Sequence, residues 1–379
     1  MLRLPTEDLV TRRGGRSMGQ CRLCGREAEE ISEFLGLCGA CLRAGVPGAR
    51  ERIDEAHALA REGFGLPLEP PAEGRACRFC VNACRIPAGG HGYCGVRQRR
   101  GGRLVGGVTT ANVSWYHDPL PTNCVAAWVC PGGTGAGYPE FAHDRGPEYG
   151  HKNLAVFYQG CTFDCLYCQN WHFRALARRP AEVSAEVLSG AVDAETSCVC
   201  YFGGDPTPQL VHSLLTARRA RAARPKGILR ICWETNGSMT PSLLRAIAQE
   251  ALASGGCIKF DLKAWDPVVH RALCGAGNER TLHNFRRLIK WTRSRRWPPP
   301  VVASTLLVPG YTGEGEVARI ARFVAEVDPE IPYSLLAFAP TFYMADLPRT
   351  RADEAETCLR AAKQAGLRRV RLGNRHLLT

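Results

Sequence analysis

The feature that most constrains this chain is a change of texture at Asn153. From there, short apolar runs rich in β-branched and aromatic residues alternate with helical stretches. LAVFYQ is followed by a helix, CVCYF by one over 208–224, ILRICWE by one over 241–253, and CIKFDLKA by one over 278–293. VVASTLLVP, YSLLAF and RRVRLG continue the series, with helices over 314–327 and 352–365 between them. A βα repeat of this kind implies parallel strands joined by right-handed crossovers, and so either a doubly wound sheet or a barrel. In both, ligands gather at the carboxyl ends of the strands.

The 379 residues leave room upstream for at least one further module, at roughly 150 residues per domain. The sequence divides into an amino-terminal module over 1–62 that ends in a helix over 47–62, a Pro/Gly linker over 63–76, a Cys-rich segment over 77–150, and the α/β unit over 151–379. Within the third part, 108–150 is rich in Gly, Pro, His and Trp, carries Cys124 and Cys130, and has no helical period. It reads as a long irregular wrap with functional potential. The opening MLRLPTEDLV carries Arg3, Glu7 and Asp8 with no apolar core of signal-peptide length, and no window approaches the ~20 apolar residues of a membrane span. A cytoplasmic, reducing setting without a membrane is therefore expected. Net charge is +13, but the arginines lie in scattered groups (Arg97 to Arg103, Arg218 to Arg224, Arg293 to Arg296, Arg368 to Arg371). Solvated helix faces are favoured over a nucleic-acid stripe.

Nineteen cysteines in a reducing compartment point to metal ligation or buried thiols rather than disulfides. Cys21, Cys24, Cys38 and Cys41 form two C-x2-C knuckles that suit a tetrahedral S4 zinc ribbon, with rubredoxin-like iron or free thiols as alternatives. Cys77, Cys80, Cys84 and Cys94 suit either zinc or an auxiliary iron-sulfur cluster. Cys161, Cys165 and Cys168 stand as C-x3-C-x2-C directly after the first strand of the repeat. Three thiolates on one tight loop can hold three irons of a 4Fe-4S cube and leave the fourth open to a small molecule, and on spacing this is favoured over zinc or free thiols. The x5 spacing of Cys124 and Cys130 is weak for metal taken alone; completing a site with distant ligands, a redox pair and inert thiols all stay open. Cys198, Cys200, Cys232, Cys257, Cys274 and Cys358 sit in apolar contexts and are simplest as buried thiols.

With Tyr167 as its aromatic, the cluster loop GCTFDCLYCQNW resembles the radical S-adenosylmethionine (SAM) superfamily. The resemblance implies a partial (β/α)6 barrel in which the open iron is chelated by the methionine part of SAM. YFGGDPTPQ resembles the family's Gly-Gly-Glu motif, with Gly203, Gly204 and Asp205 at the matching positions. WETNG and DLKA resemble the glycyl-radical-enzyme activases, the pyruvate formate-lyase activating enzyme branch. Glu234, Asn236, Asp261 and Lys263 match the positions that surround methionine and ribose there. Tyr167 is expected either on the adenine or in the core. Gln169, Asn170 and Trp171 extend the loop, as its support in preference to lining the cavity, and His172 is read as a satisfied, partly buried histidine in preference to a partner of a cluster sulfur or the substrate. HRALCGAGNERTLHNF and LLVPGY prolong the similarity to about Tyr311. Beyond it LAFAPTFYM replaces the activase His, and this region, like HGYCGVRQRRGGRL, looks closer to the activase-like proteins associated with Memo homologues.

The resemblance implies reductive cleavage of SAM to a 5'-deoxyadenosyl radical that takes a hydrogen atom from a substrate, with an electron donor such as flavodoxin or ferredoxin. A protein glycine is the first candidate substrate. A small molecule or peptide, or an RNA docked by the zinc ribbon and the basic surface, are the alternatives. The activases with extra cysteines carry them after the cluster loop, whereas here they precede it, which weakens the case for glycyl radical installation.

Overall fold

The computed structural model describes residues 18–379. The amino-terminal stretch with Arg3, Glu7 and Asp8 lies outside the described residues.

The main sheet has eight strands: β1 (Val113–Pro119), β2 (Lys152–Tyr158), β3 (Thr196–Gly203), β4 (Arg230–Thr235), β5 (Ile258–Asp261), β6 (Val301–Leu307), β7 (Tyr333–Ala337) and β8 (Val370–Gly373). Their spatial order follows the sequence order without reversal. β2 to β8 are parallel neighbours, and β1 runs antiparallel to β2. A doubly wound sheet would reverse its strand order at a switch point. This sheet instead winds one way, and β1 and β8 are not paired, so the fold is an open, partial barrel.

Period two divides each strand between two layers. Outward residues such as Leu154, Val156, Val199, Tyr201, Ile231, Trp233, Ile258 and Phe260 form the main core with the covering helices. Those helices are α2 (Leu210–Ala223), α3 (Pro241–Ser254), α5 (Glu279–Thr292), α6 (Glu314–Val327) and α7 (Ala352–Gln364), following α1 (Ala49–Glu62) of the amino-terminal module, with α4 (Pro267–Cys274) on the rim of the barrel. Except for α4, which is not among the helices read from the sequence, their bounds lie within a few residues of those read there, where an amphipathic stripe has Pro or Gly near its ends. Inward residues include Asn153, Ala155, Cys198, Cys200, Phe202, Cys232, Glu234 and Lys259, which line a cavity on the concave side.

The segment expected to be an irregular wrap supplies β1. Val113 and Trp115 pack on the core, Tyr116 and Asp118 take the opposite face toward the inner cavity, and His117 is exposed, a half-polar pattern that no apolar run announces. The same segment then turns under the concave face, where Ser334 Oγ donates to Val125 O at 2.9 Å and Trp128 Nε1 donates to Ser334 Oγ at 3.1 Å. The amino-terminal module is fastened to the carboxyl-end rim rather than tethered loosely. Tyr311 Oη donates to Leu37 O at 2.9 Å and accepts from Ser32 N at 3.0 Å, and Phe34 stacks on Tyr343 with centroids 4.2 Å apart.

Candidate active site at the carboxyl ends of the strands

A cleft of about 190 Å³ opens where β2 to β5 end. Cys161, Cys165 and Cys168 line it, together with Tyr167, Gly203, Gly204, Asp205, Glu234, Asn236, Asp261 and Lys263. All the positions carried by the motifs of the α/β unit therefore meet in one place, although they come from four strand ends spread between Tyr158 and Asp261.

The cluster loop is held by backbone pairing and by a buried charge. Asp164 N donates to Cys274 O at 2.8 Å and Leu166 N to Leu273 O at 3.0 Å, which fixes the loop to the end of α4. The Asp164 side chain is fully buried. It accepts from His57 Nδ1 at 2.8 Å and Arg61 at 3.3 Å, both on α1, and from Arg174. Burial by itself would raise this carboxyl; Arg174, then His57 and Arg61, outweigh that and hold it well below the ordinary carboxylate range. Arg174 also donates to Cys165 O at 3.2 Å. Sequence reasoning missed this group. Asp164 sits inside C-x3-C, but nothing in the spacing says that α1, over a hundred residues earlier, brings His57 and Arg61 to it.

The glycines of GGD are required by close approach. A Cβ on Gly203, whose φ is +129°, would lie 2.5 Å from Tyr158 backbone atoms, and one on Gly204 would lie 2.4 Å from Gly160 O. The two loops lock at that seam, where Asp205 N donates to Gly160 O at 2.9 Å. Asp205 is itself buried and committed: it accepts from Thr207 N at 2.8 Å, Thr235 Oγ1 at 2.9 Å and Asn236 N at 2.7 Å. Its carboxylate ties the second and third motif loops together. Asn236 in turn directs Nδ2 to Thr162 Oγ1 at 2.8 Å and to Cys161 Sγ at 3.8 Å.

On the opposite wall Lys263 Nζ lies 2.8 Å from Asp261 Oδ2, and Asp261 Oδ1 accepts from Ser304 Oγ at 2.7 Å. Burial alone would lower the Lys263 pKa, but Asp261 and Tyr167 override it and push it well above the ordinary value. The cleft therefore keeps one fixed ammonium. It also draws the Cys165 thiol below its ordinary value, after the stronger effect of a hydrogen bond from Cys274. Tyr167 is buried with its hydroxyl 3.5 Å from Cys274 Sγ and its ring centroid 5.8 Å from Lys263 Nζ. Gln169 and Asn170 line the cleft. Trp171 and His172 instead stack on each other at 3.8 Å, and Trp171 stacks on Phe342 at 5.6 Å, so LAFAPTFYM supports the back of the loop.

The other cysteine sets differ in geometry. The sulfurs of Cys21, Cys24, Cys38 and Cys41 all lie within 4.8 Å of one another, an arrangement that can hold one metal ion. Cys77, Cys80, Cys84 and Cys94 instead line a small hollow with Phe79 and Arg97. They sit against the third motif loop, where Val81 N donates to Ser238 O at 2.9 Å. Cys274 and Cys358 are buried in the core, as expected. Cys198, Cys200, Cys232 and Cys257 are not simply packed away: with Cys124 and Cys130 they line a second cavity under the cleft. Two of the scattered arginine groups converge, since Arg293, Arg295, Arg296, Arg368 and Arg369 line a groove of about 850 Å³ with Trp297. It lies at the amino-terminal ends of β6 to β8, on the face away from the cleft. Among the described residues no helix is long and apolar enough to cross a membrane.

Residues 155–324 match the family model of the radical SAM superfamily. The chain is 24% identical over 309 residues to an uncharacterised protein of Methanocaldococcus jannaschii, covering 79% of this chain and 80% of that one. It is 28% identical over 180 residues to pyruvate formate-lyase 1-activating enzyme of Escherichia coli, covering 45% and 68%. Among solved structures, a domain of pyruvate-formate lyase-activating enzyme from Bacteroides vulgatus aligns with a TM-score of 0.37 at 20% identity, over 46% of this chain and 98% of that one. Streptococcus suis SuiB bound to S-adenosylmethionine aligns with a TM-score of 0.42 at 14% identity, over 57% and 49%. The cysteine loop and the strand-end motifs gathered in the cleft all fall within residues 155–324, the part of the chain that matches the radical SAM superfamily.

Proposed function

We propose that this protein holds a 4Fe-4S cluster on Cys161, Cys165 and Cys168, cleaves SAM reductively, and abstracts a hydrogen atom from a protein glycine. The observation that carries this reading is the convergence of three unpaired thiols with the GGD, ETNG and DLK positions on one cleft. That donor set fits the cofactor pair, because three thiolates satisfy three irons and leave the fourth for an amino acid chelate. When bound, cluster and SAM together supply the electron and the 5'-deoxyadenosyl radical. The chain's own residues do the rest. Lys263, steadied by Asp261, offers an ammonium to the methionine carboxylate. The Gly203 and Gly204 backbone admits the amino group closely. Glu234 and Asn236 border the ribose side, and Tyr167 closes the wall behind the loop. The electron comes from a donor such as flavodoxin or ferredoxin.

The Cys21 set suits zinc, since a tetrahedron with ~2.3 Å bonds has edges of about 3.8 Å and Cys24 Sγ stands 3.9 Å from Cys38 Sγ. The Cys77 set is compatible with zinc or an auxiliary cluster.

The test is anaerobic reconstitution with iron and sulfide followed by reduction in the presence of SAM. Formation of 5'-deoxyadenosine, abolished in Cys165→Ala, is the expected result, and cleavage retained in Cys165→Ala refutes the cluster assignment. Deuterated lysate fractions then separate substrate classes, because deuterium entering 5'-deoxyadenosine from a protein fraction supports a polypeptide substrate and transfer from metabolites alone overturns it. A second reading, RNA as substrate, draws on the arginine groove with Trp297. Affinity that falls steeply with salt supports it, and salt-indifferent affinity counts against it.

A further inference from the structure

Below the cleft, the inward face of the sheet carries cysteines where barrel interiors ordinarily carry branched apolar side chains. Cys200 of β3 pairs in register with Cys232 of β4. Cys257 immediately precedes Ile258, the partner of Trp233, so it stands beside Cys232 on the next strand. Three thiols thus form a row across adjacent strands that are roughly 4.8 Å apart. Cys124 enters from the segment that turns under the sheet, and all four line a cavity of about 400 Å³. This cavity and the SAM cleft share Phe202 and Glu234.

Lys259 rises among these thiols. It is 2% exposed, and its Nζ donates to Cys200 Sγ at 2.9 Å and to Cys124 Sγ at 3.2 Å, with Glu234 Oε2 farther off at 3.4 Å. The buried ammonium thus has two sulfurs as its nearest acceptors, with the Glu234 carboxylate just beyond them, and a centre with negatively charged sulfur would satisfy it together with that carboxylate. Backbone donors point the same way: Ala126 N reaches Cys124 Sγ and Cys257 N reaches Cys232 Sγ, each at 3.4 Å. Cys130 and Cys198 are engaged otherwise, donating to Ala127 O at 3.9 Å and Asn153 Oδ1 at 3.3 Å. The free thiols lie on four separate elements around an open volume, a layout wider than the knuckle pair of a single-ion site. Soft thiolates spread in this way suit a polynuclear centre, and hydrogen bonds to its sulfurs tune such a centre.

We propose that Cys124, Cys200, Cys232 and Cys257 ligate an iron-sulfur cluster inside the partial barrel, separate from the one on the cluster loop, with Lys259 donating hydrogen bonds to its thiolate sulfurs. The assignment stands on these residues and not on the SAM reading, and the two fail separately.

The experiment reconstitutes the full-length chain anaerobically with ferrous iron and sulfide and counts both per chain. In Cys200→Ser/Cys232→Ser, iron and sulfide are expected to fall by about four each if the centre is a cube, while the zinc content remains that of wild type. In Cys161→Ala/Cys165→Ala/Cys168→Ala, a cluster absorption band is expected to persist and to diminish when the Cys200 and Cys232 changes are added. Iron and sulfide unchanged by Cys200→Ser/Cys232→Ser overturn the proposal, as does zinc in place of iron at these thiols. Where that variant does not fold, wild type serves. Alkylation followed by mass spectrometry should label Cys124, Cys200, Cys232 and Cys257 before reconstitution and spare them afterwards, and equal labelling in both states overturns the proposal. Loss of no iron from the cluster-loop variant would instead bear on the SAM reading alone.

Discussion

Replacing Asp164 with Asn tests whether the amino-terminal module braces the cluster loop through charge. In the wild-type protein one fully buried carboxylate faces His57, Arg61 and Arg174. The variant leaves two buried guanidiniums opposite a neutral amide whose Nδ2 is a donor among donors. Breaking a buried pair by removing one partner costs about 3–5 kcal/mol. With ~2.1 cal/mol/K of unfolding entropy per residue, a chain of this length should melt roughly 4–6 °C lower. The effect has a pH signature. The folded Asp164 carboxyl titrates below its ordinary value, so its contribution is complete above the unfolded pKa of ~3.9 and is lost as pH falls from there toward the folded value. The assay is anaerobic denaturant unfolding of both proteins before iron is added, at pH 7 and again below pH ~4. The gap between the midpoints should be full at pH 7 and narrower in acid. Equal midpoints at pH 7, or a gap that does not narrow, would refute the reasoning. So would a variant that takes up iron on the cluster loop as fast as wild type.

Three further outcomes follow from the same geometry. Gly204→Ala drives a methyl to 2.4 Å from Gly160 O; strain of about 1–3 kcal/mol and a loss of at least tenfold in SAM cleavage are expected, read as 5'-deoxyadenosine per unit of bound iron. Lys263→Met removes the ammonium held by Asp261 and should weaken SAM binding about tenfold or more, a charge-assisted hydrogen bond contributing ~1.5–3 kcal/mol; equilibrium dialysis against SAM measures it, and unchanged affinity contradicts the carboxylate role. Cys21→Ala should lower metal content by one ion and reduce thermal stability, while the remaining folded protein still forms 5'-deoxyadenosine once reconstituted.

The helices and parallel strands after Asn153 were legible because period and punctuation are local properties: Pro241 opens α3, Gly255 ends it, and apolar stripes lie between. The cleft was legible for a related reason. In a βα array every strand end faces the same rim, so motifs that follow strands must meet there, as Cys161, Gly203, Asn236 and Lys263 do. β1 was not legible, since one of its faces is largely polar and its pairing with β2 spans a 32-residue gap that no local pattern encodes. Nor was the choice between winding one way and reversing, which depends on which strand edges pair.

The element types, the cluster loop and the three motif loops can be read along the chain, because they depend on residues close together in it. The uses of the remaining buried polar groups emerge only once the elements are packed. His57 and Arg61 acquire their meaning from Asp164, and Cys124, Cys200, Cys232 and Cys257 from Lys259. In both cases the partners belong to different elements, and their association is set by register and packing across the sheet rather than by spacing along the chain.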